Sequence, residues 1–260
     1  MNIKRIKAGR RLGILGLIAC VALSFAACKS AATDGTGGGG STTITLGGTI
    51  TQGGAAQAGV TVFLSWGASK TTTTGADGKY QFTNLAAGQY RITPSRLGTA
   101  FSPSYYDAVS ATKSDANFAA SAAAYGSEVN QIAAGFTAKD QKGNTFNFND
   151  NHGNIILMDF TADWCVPCRA KAEHAEEFYQ KYKAQGFTYV LVVIEGSPAS
   201  WASTYGLTFP VLDDNTQKIY NIFRKSSIPL PHILDRNMNI LYKVEGWNQA
   251  EVEDWLKKLL

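Results

Sequence analysis

Residues 156–169 read ILMDFTADWCVPCR, an apolar run that ends in two cysteines three positions apart. With Asn154 and Ile155 ahead of it, the run is too continuously apolar for a strand with one wet face and predicts a strand buried on both. From Pro167 to Gln185 the period changes. Ala175, Phe178, Tyr179 and Tyr182 recur at i, i+3, i+4 and i+7, so a helix with one apolar stripe follows the strand. Pro167 suits a first helical turn, and Gly186 suits a C-terminal cap.

That placement gives the cysteines a chemistry. The first turn of a helix has unpaired N–H groups and the positive end of the macrodipole. A thiolate is stabilised there, which makes Cys165 the expected attacking sulfur. Cys168, one turn on, can resolve a mixed disulfide. Two other uses of a Cys pair fare worse. A closed zinc site wants four ligands, and the chain has only His152, His174 and His232 and no second C-x-x-C. A structural staple lacks partners, since the remaining cysteines, Cys20 and Cys28, fall at the N-terminus. Neither a metal nor a dissociable cofactor is expected.

Around this centre, residues 129–260 alternate strands and helices. Phe187 to Ile194 is a second buried strand; Pro198 to Tyr205 and Gln217 to Phe223 are short helices. Ile233-Leu234 and Ile240 to Val244 flank the turn Asp235 to Asn239 as a hairpin. Asn248 with Glu251 forms a capping box for a last helix that presents Val252, Trp255, Leu256 and Leu259 on one face. The order predicts an α/β layer structure with parallel strands and a terminal antiparallel hairpin.

Upstream, residues 42–118 read as all-β: Thr49 to Thr51, Val60 to Leu64, Tyr80 to Thr83 and Tyr90 to Thr93 alternate, and Gly53-Gly54, Asp77-Gly78 and Gly88 punctuate them. Regular spacing of this kind indicates a sandwich. Thr71 to Thr74 reads as a polar strand, and Asp77 and Asp107 as turn and surface acids. Residues 119–128 read as the linker. The chain is therefore multidomain, an N-terminal all-β sandwich followed by a C-terminal α/β domain.

The first 27 residues differ from the rest. Lys4, Arg5, Lys7, Arg10 and Arg11 precede the apolar run from Leu12 to Ala27. Without those five cations, 24 basic residues become 19 against 20 acids, so a net charge of +4 becomes −1. The basic balance belongs to a targeting segment and argues against nucleic acid as a partner. Small residues before Cys28 resemble a bacterial lipobox, with Cys20 as a second possible site; cleavage at Cys20 would leave Val21 to Phe25 apolar on the mature chain, which favours Cys28. Residues 28–41, with Gly37 to Gly40, have the composition of a flexible tether.

Two further resemblances sharpen the reading. "GGTITQGGAAQAGVTVFLSW" and "TTTTGADGKYQFTNLAAGQYRITPS" are similar to carboxypeptidase-regulatory-like (prealbumin-like) sandwiches, which implies a fold and little about function. "ILMDFTADWCVPCR", "GFTAKDQKGNTFNF", "YGLTFPVLDDNTQKIYNIF" and "SIPLPHILDRNMNILYKVEGW" resemble the thioredoxin superfamily, and within it the membrane-tethered TlpA/ResA type. The resemblance implies that Trp164 flanks the dithiol, that Asp159 is the buried acid serving the resolving thiol, and that Pro229 is a cis-proline. Ile228 and Pro229 would then offer backbone to a substrate chain; Pro231 is a rival for the cis position. Two positions depart from the family. Its frequent glutamate three residues after the second cysteine is here Lys171, and its helix proline is here Glu173. Proton handling is thereby expected of Asp159, with Glu173 in reserve, and His232 is expected to be a surface or packing residue rather than a substrate contact.

The function implied is an exported, lipid-anchored thiol–disulfide oxidoreductase of the bacterial envelope. Its partners would be protein thiols and disulfides, an envelope redox partner and the membrane through the N-terminal lipid. The rival from another class is a surface-binding module with an inert dithiol; Cu(I) handling is a third.

Overall fold

Why the first domain is a sandwich shows in the burial of its strands. β5 (Lys79–Leu85) buries Tyr80 and Phe82 between exposed neighbours, the period of two that one covered sheet face demands, and a register shift then returns Leu85 to the core. The computed structural model describes residues 43–223 and 227–260. The basic leader, Cys20, Cys28 and the Gly/Ser-rich stretch lie outside the described residues. Ser41–Leu260 forms one compact unit built of two domains.

The remaining strands of the first domain are β1 (Ile44–Gln52), β2 (Ala55–Ala56), β3 (Thr61–Trp66), β4 (Lys70–Thr73), β6 (Tyr90–Ser95), β7 (Thr99–Ser102), β8 (Tyr106–Val109) and β9 (Phe118–Ala122). One sheet runs β2-β1-β9-β7, with β5 paired to the first half of β1; the other runs β4-β3-β6-β8. Leu46, Ile50, Val62, Leu64, Phe82, Ile92 and Phe118 fill the space between them. Gly48 permits the closest approach: a Cβ there would stand 2.1 Å from the Ala116 carbonyl oxygen. Sequence alternation missed β7 and β8, which are short. Asp107 is more than a surface acid, because it pairs through both oxygens with the guanidinium of buried Arg91.

The segment expected to be a bare linker is structured. Its first residues finish β9, and β10 (Tyr125–Gly126) pairs in parallel with β11 (Ile132–Ala133). The second domain then adds β12 (Thr137–Asp140), β13 (Thr145–Asn147), β14 (Ile155–Ala162), β15 (Phe187–Glu195), β16 (Val211–Asp213), β17 (His232–Leu234) and β18 (Ile240–Lys243). Their order in one sheet is β13-β12-β16-β15-β14-β17-β18. β14 pairs in parallel with β15 and antiparallel with β17, and all eight of its residues are buried. The helices are α1 (Val166–Ala172), α2 (Ala175–Tyr182), α3 (Pro198–Tyr205), α4 (Lys218–Phe223) and α5 (Gln249–Leu259). Asn248 caps α5 by accepting from the Glu251 amide at 3.3 Å. The single helix expected over 167–185 is two. The His174 amide bonds the Lys171 carbonyl at 3.1 Å, a tightened i−3 turn that breaks the α ladder between α1 and α2.

The two domains share β6. Strands of an antiparallel sheet usually leave one face to water, yet all six residues of β6 are buried. Tyr90 and Ile92 pack into the sandwich core. On the other face Ser95 donates to the Arg236 carbonyl at 2.8 Å. Asn237, at the tip of the β17–β18 hairpin, donates to the Pro94 carbonyl at 2.7 Å and accepts from the Arg96 amide at 2.9 Å. The Arg236 guanidinium lies 4.7 Å from the Phe63 ring centroid. The sandwich therefore grips the hairpin tip next to Ile155, at the start of β14, while the cysteines follow its other end.

Candidate active site

β14 delivers the site and α1 receives it. After Ala162 the chain turns, and Cys165 becomes the N-cap of α1, with φ −81° and ψ 98°. Its sulfur accepts from the Cys168 amide at 3.3 Å, doing for a first-turn N–H what an N-cap oxygen ordinarily does. Pro167 sits in that first turn, where no helical amide is lost. The two sulfurs are bonded, with Cα atoms 5.3 Å apart. Cys165 is 3 % exposed and Cys168 fully buried, so an incoming sulfur meets Cys165 first.

Facing the pair is the loop before β17. The Ile228–Pro229 peptide is cis, and the Ile228 carbonyl oxygen lies 3.8 Å from the Cys165 sulfur. The bond before Pro231 is not among the cis bonds, but Ser102–Pro103 in the sandwich is, which the sequence did not signal. The chain neighbours of Cys165 are exposed and apolar: Trp164, at 59 % exposure, and Val166. Trp164 is aimed by Glu195, whose carboxylate accepts from its indole N–H at 2.9 Å. The loop beneath is tied by Asp163, which accepts from the Trp201 indole at 2.6 Å, while Arg169 donates to the Asp163 carbonyl at 2.7 Å. Gly196 makes room for it: with φ 133°, it leaves space that any Cβ would contest with the Asp163 carboxylate.

Asp159 is fully buried on β14. One carboxylate oxygen accepts from its neighbour Phe160 N–H and from Leu230 N–H, both at 2.8 Å, so this acid ties the strand to the cis-proline loop. The other oxygen is ion-paired with the ammonium of Lys171, also buried. The Lys171 ammonium lies 5.2 Å from the Trp247 ring centroid. Burial pushes Lys171 down to about 7 from the usual lysine range.

The structure brings Cys165, Cys168, Asp159, Trp164, Ile228 and Pro229 to one end of β14. Glu173 is exposed and takes no part. His232 is a packing residue: its ring contacts Phe160 and Phe223, and Nδ1 lies 2.9 Å from the Leu230 carbonyl. The sequence reading missed Lys171, Trp247 and Glu195. For Lys171 a signal was present. Positions 168, 171, 172 and 175 are successive members of one helical stripe, and a lysine on a buried stripe calls for a counter-charge. Among the described residues no group of three or more His, Cys, Asp or Glu could hold a metal ion, and no helix is long and apolar enough to cross a membrane.

Comparison with known proteins agrees with this arrangement. Residues 129–243 match the AhpC/TSA family, and residues 45–123 match the carboxypeptidase regulatory-like domain. The thiol-disulfide oxidoreductase ResA of Geobacillus kaustophilus is 29 % identical over 136 residues, which cover 50 % of this chain and 78 % of ResA. The thioredoxin-like protein YneN of Bacillus subtilis is 32 % identical over 118 residues, 42 % of this chain and 67 % of YneN. Among solved structures, the pneumococcal exposed lipoprotein thioredoxin Etrx1 of Streptococcus pneumoniae is 24 % identical, with 48 % of this chain and 100 % of Etrx1 covered and a TM-score of 0.42. Sequence kinship at this level, with the family match spanning the bonded cysteines and the proline loop, places it: the chain belongs to the thioredoxin-like proteins, as an oxidoreductase similar to ResA, with a carboxypeptidase regulatory-like domain ahead of the oxidoreductase domain.

Proposed function

We propose that this enzyme is an exported oxidoreductase, lipid-anchored at Cys28, that exchanges disulfides with protein thiols through Cys165 and Cys168. One observation carries the reading. The bonded pair caps α1 with its Cys165 sulfur turned to the Ile228 carbonyl, beside a cis-proline and under an exposed Trp164. An extended chain laid along Ile228 and Pro229 would bring its own sulfur to Cys165 and no nearer to buried Cys168.

In the oxidising direction a substrate thiolate attacks the Cys165 sulfur. The bond to Cys168 breaks, and Cys168 leaves as a thiolate that takes up a proton. In the reducing direction the Cys165 thiolate attacks a substrate disulfide, and Cys168 then expels the substrate by closing the bond. The exposed apolar side chains of Trp164 and Val166 on either side of Cys165 suit a protein surface better than a small polar thiol. The envelope redox partner and the membrane contact rest on the leader sequence and on the names of the relatives.

The test is the reduction potential of the pair. The full chain carrying Cys20→Ser and Cys28→Ser is equilibrated against defined thiol–disulfide buffers, so that only Cys165 and Cys168 titrate. A reversible two-electron couple is expected. A potential near about −270 mV makes the protein a reductant that needs electrons delivered to it, and one above about −180 mV makes it an oxidant or isomerase. With no reversible couple the oxidoreductase reading fails, and the sandwich becomes the functional part.

A further inference from the structure

When the disulfide opens, Cys168 must gain a proton, and when it closes, Cys168 must lose one. Cys168 is fully buried, so water does not serve it directly. Asp159 is the expected partner, but its carboxylate is occupied by the Phe160 and Leu230 amides on one oxygen and by Lys171 on the other. Lys171 is three residues beyond Cys168 on α1, on the same face, where side chains at i and i+3 are neighbours. Both side chains turn into the protein.

We propose that Lys171, held in place by Asp159, is the proton donor and acceptor for the Cys168 sulfur. This rests on the oxidoreductase reading and specifies its proton step. In the oxidised protein, substrate thiolate attacks Cys165; the new substrate–Cys165 bond forms as the Cys165–Cys168 bond breaks. The electron pair leaves on Cys168, and the Lys171 ammonium gives that sulfur its proton. In resolution the neutral Lys171 amine takes the proton from the Cys168 thiol. The resulting thiolate attacks Cys165 of the mixed disulfide and expels the substrate thiolate.

The surroundings of the ammonium suit this work. From β14 the charged group facing it is Asp159; from the turn before α5 it meets the Trp247 ring; on its own helix the buried Cys168 lies three residues before it. Glu173 and His174 are exposed at the end of the same helix. His232 packs on Phe160, the strand neighbour of Asp159, and neighbours on a strand point to opposite faces of the sheet. Burial has already lowered the cost of removing the ammonium proton, which is how enzymes bring a lysine near neutral pH for acid–base work.

The measurement needs no altered site. In the full chain with Cys20→Ser and Cys28→Ser, the side-chain resonances of isotopically labelled lysines are followed against pH in the oxidised and the dithiol forms. The Lys171 signal is recognised by its loss in Lys171→Arg and by the ring current of Trp247. It is expected to titrate near neutral pH, with a midpoint that differs between the two forms, because only the dithiol form has a second proton on Cys168. An ammonium that persists beyond pH 9 in both forms, or a midpoint indifferent to the redox state, overturns the proposal. The rate of disulfide opening by dithiothreitol gives a second readout. Lys171→Arg keeps the charge but cannot give up the proton, so roughly a hundredfold loss and a flattened pH profile near neutrality are expected; an unchanged profile counts against Lys171. A reversible couple with a redox-blind Lys171 removes this inference and leaves the oxidoreductase reading intact, whereas no couple at all removes both.

Discussion

Lys171 and Asp159 are two charges out of water, and each is tolerable only because of the other. Removing one partner of such a pair typically costs about 3–5 kcal/mol, since the survivor stays buried and uncompensated, while replacing both is close to neutral. Lys171→Met is therefore expected to lower the unfolding free energy by that amount in urea titrations. The double variant Asp159→Asn/Lys171→Met should recover most of the loss. Additive losses instead would show that the two side chains do not interact. Cys165 and Cys168 stood out in the sequence because a dithiol at a helix start after a buried strand has its own spacing, whereas Asp159 and Pro229 were picked out by the resemblance to the thioredoxin superfamily. Lys171 was half legible: its place on the buried stripe called for a counter-charge, but the partner, Asp159, lies twelve residues away on another element and no periodicity names it. Glu195 escaped for the same reason: it meets Trp164 only because β15 lies beside β14.

Between elements, one carboxylate does much of the joining. Glu176 on α2 accepts from the Thr208 amide at 2.8 Å and the Thr208 hydroxyl at 2.6 Å, tying the helix to the loop that follows α3. Partial burial raises its pKa, but the hydrogen bonds from Thr208 and Gln180 outweigh that and leave it below the usual glutamate range. The unfolded chain thus binds this proton more readily than the folded one does. Stability from the contact is present above the ordinary glutamate pKa and is lost as pH falls through the lowered value. In Glu176→Gln the acid limb of a stability-versus-pH curve should be shallower below about pH 4.5. An identical limb would mean that the tie contributes nothing. Most elements were legible from periodicity, α3 to its end residues and α5 through its capping box. The break between α1 and α2 was not, because residues 173 and 174 carry neither glycine nor proline and the apolar stripe continues across them.

Taken whole, the described chain is two domains that share a wall. Sequence composition separated them correctly into sandwich and α/β layers but suggested a bare linker between them, because contacts across 141 and 143 residues leave no periodic trace. Asn237 is the centre of the grip, 2 % exposed and bonded both ways to the end of β6. Asn237→Ala leaves the buried Pro94 carbonyl without this partner, at about 1–3 kcal/mol, and the partly buried Arg96 amide without its own. Calorimetry of the parent chain is expected to show one transition, and of Asn237→Ala two, with the sandwich and the oxidoreductase domain melting apart. One unsplit transition in the variant would locate the coupling elsewhere, for example in Arg236 on Phe63. The dithiol should keep its potential in that variant, since it lies past the opposite end of β14.

The shared strand also says something about inheritance. A module can be shuffled between genes when its surface is free to drift, but β6 has no free surface: one row of side chains fills the sandwich, and the end of the other meets the oxidoreductase domain at Ser95. A sandwich borrowed from another protein would arrive with a water-facing row where Ser95 and its neighbours must meet Arg236 and Asn237. A graft would have to rewrite that row and the hairpin tip together, so these two domains are expected to descend as a pair.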